Sequence, residues 1–161
     1  MPTLSVTHEL FFELGGSGVK VAECCFENSI RPFYSEEGAL LFHTYVLPVQ
    51  LCERASQGAL LLVAEEEKEI IGIAELRDGN HLSMFFVTPE FQNCGVGRKL
   101  LERLWTLAKK LNRSLDHFST YAAPGAVEAY RHLGFAPTGP ETIESGVRYT
   151  PMSTQKGAFH G

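Results

Sequence analysis

No stretch of the 161 residues approaches the ~20 consecutive apolar positions that a membrane-spanning helix requires. Basic residues are the minority, 14 against 19 acidic, and the net charge of −5 argues against a nucleic-acid partner, which would call for a basic stripe. Cysteine is scarce and badly spaced for metal. Cys24, Cys25, Cys52 and Cys94 form no Cys-x-x-Cys pair and no zinc-like spacing with histidine, so no metal is expected and the thiols are read as reduced. Residues 1–14 lack the basic start, apolar run and small-residue cleavage site of a secretory signal, and a cytoplasmic location is expected. Internal repeats and low-complexity segments are also missing. What is present suits one globular domain: 44% apolar and 20% charged residues, in a chain long enough to bury a core without disulfides.

Residues 81–110 carry the clearest pattern. Alternation over 81–87 places Leu82, Met84 and Phe86 on one face and Ser83, Phe85 and Val87 on the other, so both faces are mostly apolar. This predicts a central strand covered on both sides, ended by Thr88-Pro89 because proline cannot donate to a ladder. From Val96 onward, Leu100, Leu104, Leu107, Ala108 and Leu111 recur at helical spacing, mostly opposite Arg98, Lys99, Glu102, Arg103, Lys109 and Lys110. An amphipathic helix of about four turns is predicted.

The remainder is arranged around that unit. Residues 4–14 begin with loose alternation and predict a first strand, interrupted by Gly15-Gly16-Ser17-Gly18. Residues 19–30 and 38–56 show three- and four-residue apolar spacing, which predicts two helices joined across 31–35, with Pro48 breaking or kinking the second. The runs 59–64 and 70–76 predict strands about a charged turn, and Asp78-Gly79 predicts a tight connection into 81–87. Residues 114–121 predict a strand parallel to 81–87, since a helical crossover joins the two. Pro124 opens a further helix over 125–133 that ends at Gly134, and 135–140 with 146–152 predict a last strand pair. The fold class is therefore α/β (α+β), a single domain over 1–152. Its mixed central sheet combines an antiparallel meander with one parallel crossover, and helices cover both faces. Residues 153–161 have little to anchor them and are expected to form a flexible tail.

Between the central strand and its helix lies Gln92-Asn93-Cys94-Gly95-Val96-Gly97. Glycine permits positive φ and the close approach of a ligand, while a helix start supplies unpaired N–H groups and roughly half a positive charge. Together they make an anion site. Arg98 and Lys99 oppose the helix dipole by ~0.3–1 kcal/mol each unless an anion sits nearby, which itself points to phosphate. The loop is not that of the nucleotide triphosphatases, Gly-x-x-x-x-Gly-Lys-Ser/Thr, nor the dinucleotide Gly-x-Gly-x-x-Gly, because Gly97 is followed by Arg98-Lys99-Leu100. Gln-x-x-Gly-x-Gly after a Val-x-Pro strand end resembles the GNAT superfamily of acyl-CoA-dependent N-acyltransferases, whose pyrophosphate signature is Arg/Gln-x-x-Gly-x-Gly/Ala. Ala129-Tyr130-Arg131-His132-Leu133-Gly134-Phe135 is the second point of resemblance, matching the Tyr-x-x-x-Gly-Phe that closes the family's late helix. The match in motif and chain order covers about residues 59–152, and the first 58 residues agree in layout alone. Ala123 stands where many members carry an asparagine that contacts the coenzyme.

The resemblance implies a GNAT-like fold and an N-acetyltransferase that moves an acetyl group from acetyl-CoA to a primary amine of a small molecule or peptide. Attack is direct, in a ternary complex, without an enzyme nucleophile. It implies that Gln92, Asn93, Cys94, Gly95, Val96, Gly97, Arg98 and Lys99 hold the pyrophosphate, and that a main-chain N–H near Phe86 or Val87 polarises the thioester carbonyl. Tyr130 is the implied acid for the departing thiolate, a phenol that stays protonated at neutral pH. For the amine's proton, His81 is the first candidate base and Glu75 the reserve. Bland readings stand beside these: a core tyrosine, a hairpin-end histidine, a solvated glutamate, and sheet hydroxyls at Ser119 and Thr120. Cys94, a thiol at a helix start, admits a covalent reading against that of a small loop residue. The acceptor is expected over residues 19–56, where Phe33, Tyr34, His43 and Tyr45 offer aromatic or polar tips. The rival function is a non-catalytic acyl-CoA-binding or protein-interaction module on the same fold. Neither membrane nor nucleic acid is expected as partner. Acceptor identity, acyl length and homo-oligomer formation are left open.

Overall fold

The computed structural model describes residues 3–6, 11–154 and 158–159. In chain order the elements are β1 (Thr3–Val6), α1 (Phe11–Cys25), α2 (Glu36–Tyr45), α3 (Pro48–Ser56), β2 (Leu60–Glu66), β3 (Glu69–Arg77), β4 (His81–Val87), α4 (Val96–Leu111), β5 (Ser119–Ala122), α5 (Val127–His132), β6 (Phe135–Pro137), β7 (Thr142–Glu144) and β8 (Val147–Thr154). The sheet order is β1-β2-β3-β4-β5-β8-β6, with β7 forming a hairpin on β8. β4 and β5 are the parallel pair, β2 to β4 are the antiparallel meander, and β1 adds antiparallel to the edge of β2.

Apolar layers cover both faces. On one, Leu100, Leu101, Leu104 and Trp105 of α4 pack over Leu62, Ala74 and Leu82. On the other, Val21 and Ala22 of α1 and Leu51 of α3 pack over Val63, Ile73 and Met84. The α4 stripe is wider than the spacing indicates, gaining Leu101 and Trp105, whereas Leu111 is 74% exposed at the helix end. Pro48 occupies the first turn of α3, where its missing N–H costs nothing, so of the two expected outcomes, a break or a kink, the structure shows the break.

Three expectations are corrected. The glycine-rich stretch at 15–18 lies inside α1 instead of interrupting a strand; of the expected first strand, residues 4–6 belong to β1, 11–14 to α1, and 7–10 lie outside the described residues. Gly18 is used for close approach: a Cβ there would lie 3.2 Å from the Ile73 side chain of β3. Packing of that kind overrides helix propensity, which is worth only ~1 kcal/mol per glycine. Next, β4 does not alternate strictly, because a β-bulge opposite Glu75/Leu76 sets Met84 against Glu75 and Leu82 against Leu76. Ser83 is the extra residue, so Leu82 and Phe85 join the α4 layer while Met84 and Phe86 join the α1 layer. Finally, β8 runs on through Ser153 and Thr154, and Phe159 is buried against Trp105, Phe118 and Phe135. Of the segment expected as a flexible tail, residues 155–157 and 160–161 lie outside the described residues. Among the described residues no helix is long and apolar enough to cross a membrane.

Candidate active site

β4 and β5 share a ladder only at His81/Ser119 and Leu82/Thr120, after which they part. Beyond Leu82, β4 therefore has no strand partner on that side among the described residues. Thr88 donates its amide to the Ile71 carbonyl at 2.8 Å, and successive amides of a strand alternate in direction. Phe86 consequently turns its N–H toward β3, whereas Phe85 and Val87 turn theirs into the gap. The bulge is responsible for this phase: a strand without the extra Ser83 would aim the amides of Met84 and Phe86 there. Of the two residues expected to polarise a carbonyl, Val87 keeps a suitable amide, Phe86 does not, and Phe85 takes its place.

The loop between β4 and α4 opens at the mouth of the gap. Asn93 (φ 60°) and Gly95 (φ 85°) take the left-handed conformation, and a Cβ on Gly95 would point into open space. The Gln92 side-chain amide donates to the Val87 carbonyl at 2.9 Å, fastening the loop to the end of β4. Cys94 is exposed with its thiol 3.4 Å from the Gln92 carbonyl, and among the described residues no acid–base partner accompanies it, so the covalent reading gains nothing. Gly97 is needed for another reason than φ. It sits in the first turn of α4, and a Cβ there would lie 2.9 Å from Cζ of the Phe85 ring. Arg98 donates to the His132 carbonyl at 3.1 Å, reaching the C-terminal end of α5, where the dipole favours a cation. That contact offsets the dipole cost noted in the sequence. Val96 is wholly buried beneath the loop, and Lys99 lies beside it on α4. Replacing Gly97 by valine is expected to displace the Phe85 ring and lower coenzyme A affinity at least ~10-fold with the folding transition retained. Calorimetric titration that returned parental affinity would remove this loop from the ligand path.

Tyr130 lies on α5 with its ring 5.9 Å from Phe85 and 5.2 Å from Phe135. Burial pushes its phenol up to about 12; hydrogen bonding to Thr120 offsets part of the rise and the nearby Tyr34 adds to it. Thr120 in turn donates to the Leu82 carbonyl at 2.9 Å, at the point where β4 and β5 separate. Tyr130 and Thr120 therefore face the gap from the α4 side.

His81 stands on the opposite face, at the paired end of β4. Its Nδ1 lies 2.8 Å from Ser119 Oγ and its ring is 4.6 Å from that of Tyr121. Burial first, and then the Arg77 guanidinium, lower its pKa to about 4, with Asp78 opposing. The imidazole is thus neutral at physiological pH. Because the unfolded chain protonates near 6.5, it binds more protons than the folded one between the two values. The stability contributed by neutral His81 is complete above about 6.5 and is lost as pH falls through 4. A His81→Gln variant is expected to lose less stability than the parent between pH 7 and pH 4.5 in urea titrations. Equal losses would mean that the folded imidazole titrates normally.

Glu75 is neither solvated nor free. It is 0% exposed, and its carboxylate accepts from Arg54 Nε at 3.0 and 3.1 Å, Tyr45 Oη at 3.1 Å and Ser83 Oγ at 2.7 Å. Arg54 also lies over the Tyr45 ring, 3.5 Å from its centroid, and donates to the Tyr45 carbonyl at 2.9 Å. To act as a base Glu75 would have to release that arginine, so the reserve-base reading is set aside. Nothing in the local sequence announces this network, whose members lie 8 to 30 residues from Glu75.

The first 58 residues reach the gap at specific points. Cys25 Sγ donates to the Val87 carbonyl at 3.3 Å, and burial raises that thiol to about 11, so it stays protonated at neutral pH. A π-helical turn, Phe26–Ile30, brings the Ser29 carbonyl against Gly125. Of the expected acceptor residues, Phe33 is 38% exposed and Tyr34 packs edge-on against Phe26. His43 is held by Glu23 at 2.7 Å, and Tyr45 is committed to Glu75.

A mixed sheet that splits at its parallel pair, with a glycine turn and helix start at the split, is the architecture of the acyl-CoA-dependent N-acyltransferases. Residues 30–156 match the model of the acetyltransferase (GNAT) domain, and the chain belongs to that family. It is 27% identical over 88 residues to the peptidyl-lysine N-acetyltransferase YjaB of Escherichia coli, a match covering 55% of this chain and 56% of that protein. The chain therefore spans little more than half the length of this curated relative. In fold it is similar to a GCN5-related N-acetyltransferase from Rhodopseudomonas palustris, with TM-score 0.78, 22% identity and 96% of each chain covered. It is also similar to the PaiA N-acetyltransferase of Thermoplasma acidophilum, solved in complex with coenzyme A, with TM-score 0.75, 19% identity and coverage of 95% and 99%.

Proposed function

We propose that this chain transfers an acetyl group from acetyl-CoA to a primary amine of a small molecule or peptide, by direct attack within a ternary complex. The observation that supports this reading is the gap itself, with Tyr130 on its α4 side and the amides of Phe85 and Val87 turned into it, while His81 stands on the other face of the sheet at the paired end of β4, before the gap opens. The main-chain donors of Gln92 to Gly97, with Arg98 and Lys99, bind the pyrophosphate at the head of α4, where free space lies before Gly95. The Phe85 and Val87 amides stabilise the negative charge that develops on the thioester oxygen. As the amine nitrogen bonds to the carbonyl carbon and the carbon–sulfur bond breaks, His81 takes the amine's proton, directly or through water, and Tyr130 donates to the sulfur.

The acceptor approaches from the α1–α2 side, past Tyr34. The E. coli relative's description as a peptidyl-lysine enzyme supports a lysine side chain as one candidate. Four free cysteines suit a reducing cytoplasm. A panel of primary amines incubated with acetyl-CoA, read by release of free thiol, tests the proposal. Release that depends on an amine is expected, and equal release with and without every amine would reject acetyl transfer.

A further inference from the structure

We propose that Glu75, with Ser83, Tyr45 and Arg54, is a positioning unit that fixes the β4 bulge and so aims the Phe85 amide at the thioester oxygen. This rests on the acetyl-transfer reading of the gap. Ser83 is the residue by which β4 exceeds β3, and a bulge residue is left out of the regular ladder. Here its hydroxyl is anchored twice, 2.7 Å from Glu75 Oε1 and 3.3 Å from the Glu75 carbonyl. The anchoring carboxylate is itself immobile, since Arg54 and Tyr45 bind it inside the α1 layer, out of contact with water.

Each contact has a geometric consequence for the gap. The bulge decides which amides of β4 face β5, and Phe85 is the first such amide past it. Were the bulge lost, or moved along the strand beyond Phe85, the phase at Phe85 would reverse and its amide would turn to β3. A carboxylate in the core is a costly way to hold a strand together, and apolar side chains would serve packing better. Its retention at the one irregular point of β4 is accounted for by register. The same unit ties α2 through Tyr45 and α3 through Arg54 to the strand that polarises the carbonyl. The wall on the acceptor side is thereby coupled to the donor in the gap.

The test uses the full chain with Ser83→Ala, which removes only the hydroxyl, and Ser83→Thr, which restores one. Amide proton and nitrogen shifts of Phe85 are compared with acetyl-CoA and with coenzyme A bound, so that the difference reports the acetyl carbonyl alone. In the parent that difference is expected to be present. In Ser83→Ala it should shrink, with kcat falling about 10-fold, one tenth of the loss typical for removing such a donor altogether, while coenzyme A affinity stays within about twofold. Ser83→Thr should recover both.

Tyr45→Phe, which removes a different hydroxyl from the same carboxylate, should move shift and kcat in the same direction as Ser83→Ala, and it serves if the alanine variant folds poorly. An unchanged Phe85 shift difference and an unchanged kcat in both Ser83→Ala and Tyr45→Phe would overturn the proposal, as would a parental Phe85 amide blind to the acetyl group. If the parent acetylates no amine and its Phe85 shift difference still depends on Ser83, the positioning unit stands and the enzymatic reading fails.

Discussion

Tyr130→Phe is expected to leave the fold and coenzyme A affinity intact while lowering the turnover number by about 10²–10⁴-fold. The change removes one oxygen from a ring whose packing against Phe85 and Phe135 is retained. Within that range the environment of the phenol favours the lower end. With its pKa pushed up to about 12 the group is fully protonated at any working pH, yet it is a weaker acid than a thiol of pKa near 8.5. Full transfer to the leaving sulfur runs uphill unless bound acetyl-CoA changes those surroundings, whereas a hydrogen bond to the developing thiolate does not. A loss near 10² therefore indicates stabilisation by a hydrogen bond, and a loss near 10⁴ indicates proton transfer in the rate-limiting step. Parental turnover in the phenylalanine variant, measured where chemistry limits the rate, would take Tyr130 out of the mechanism and favour a binding module.

Arg54→Met is expected to destabilise the protein by about 3–5 kcal/mol, because it strands the Glu75 carboxylate in the core with only two hydroxyl donors. The paired variant Arg54→Met/Glu75→Leu should recover more than half of that loss, since an apolar pair of similar volume carries no desolvation penalty. Urea unfolding at pH 7 supplies both numbers. A loss below ~1 kcal/mol in the single variant would mean that water reaches the carboxylate and that the network is far weaker than its geometry indicates.

The elements legible in the sequence are those set by local periodicity. The bounds of β4 and the start of α4 follow from alternation, a proline stop and a 3.6-residue stripe, and Gly134 (φ 98°) ends the α5 region as a C′ glycine should. The parallel pairing of β4 with β5 follows from a general rule of connection. The bulge at Ser83 is a different kind of fact. Its signal is a relation between two strands, and a seven-residue window with apolar residues on both faces cannot reveal that the phase changes halfway. Glycines 15–18 mislead because their propensity is local while their use is not: Gly18 is small for the sake of Ile73, 55 residues away in the chain. The same reason hid the true surroundings of Glu75, whose partners Tyr45 and Arg54 come from a segment with little motif content. The glycine loop and Tyr130, by contrast, were legible as motifs.

The N-terminus of α2 rests on the β7–β8 turn: Ser35 donates its amide to the Gly146 carbonyl at 3.1 Å, and a Cβ on either Gly38 or Gly146 would collide with the other side of that contact. The halves of the sheet, joined by a two-residue parallel ladder, thus receive a second tie on the acceptor side. For anyone recombining acceptor specificities, this tie fixes the exchangeable cassette. A segment transplanted over residues 19–56 from another family member must bring its own small residue at position 38 and a polar cap at 35, or travel with its native β7–β8 turn. Libraries that diversify Phe33 or Tyr34 while sparing Ser35, Gly38 and Gly146 should therefore yield far more folded members than libraries that randomise the whole connection.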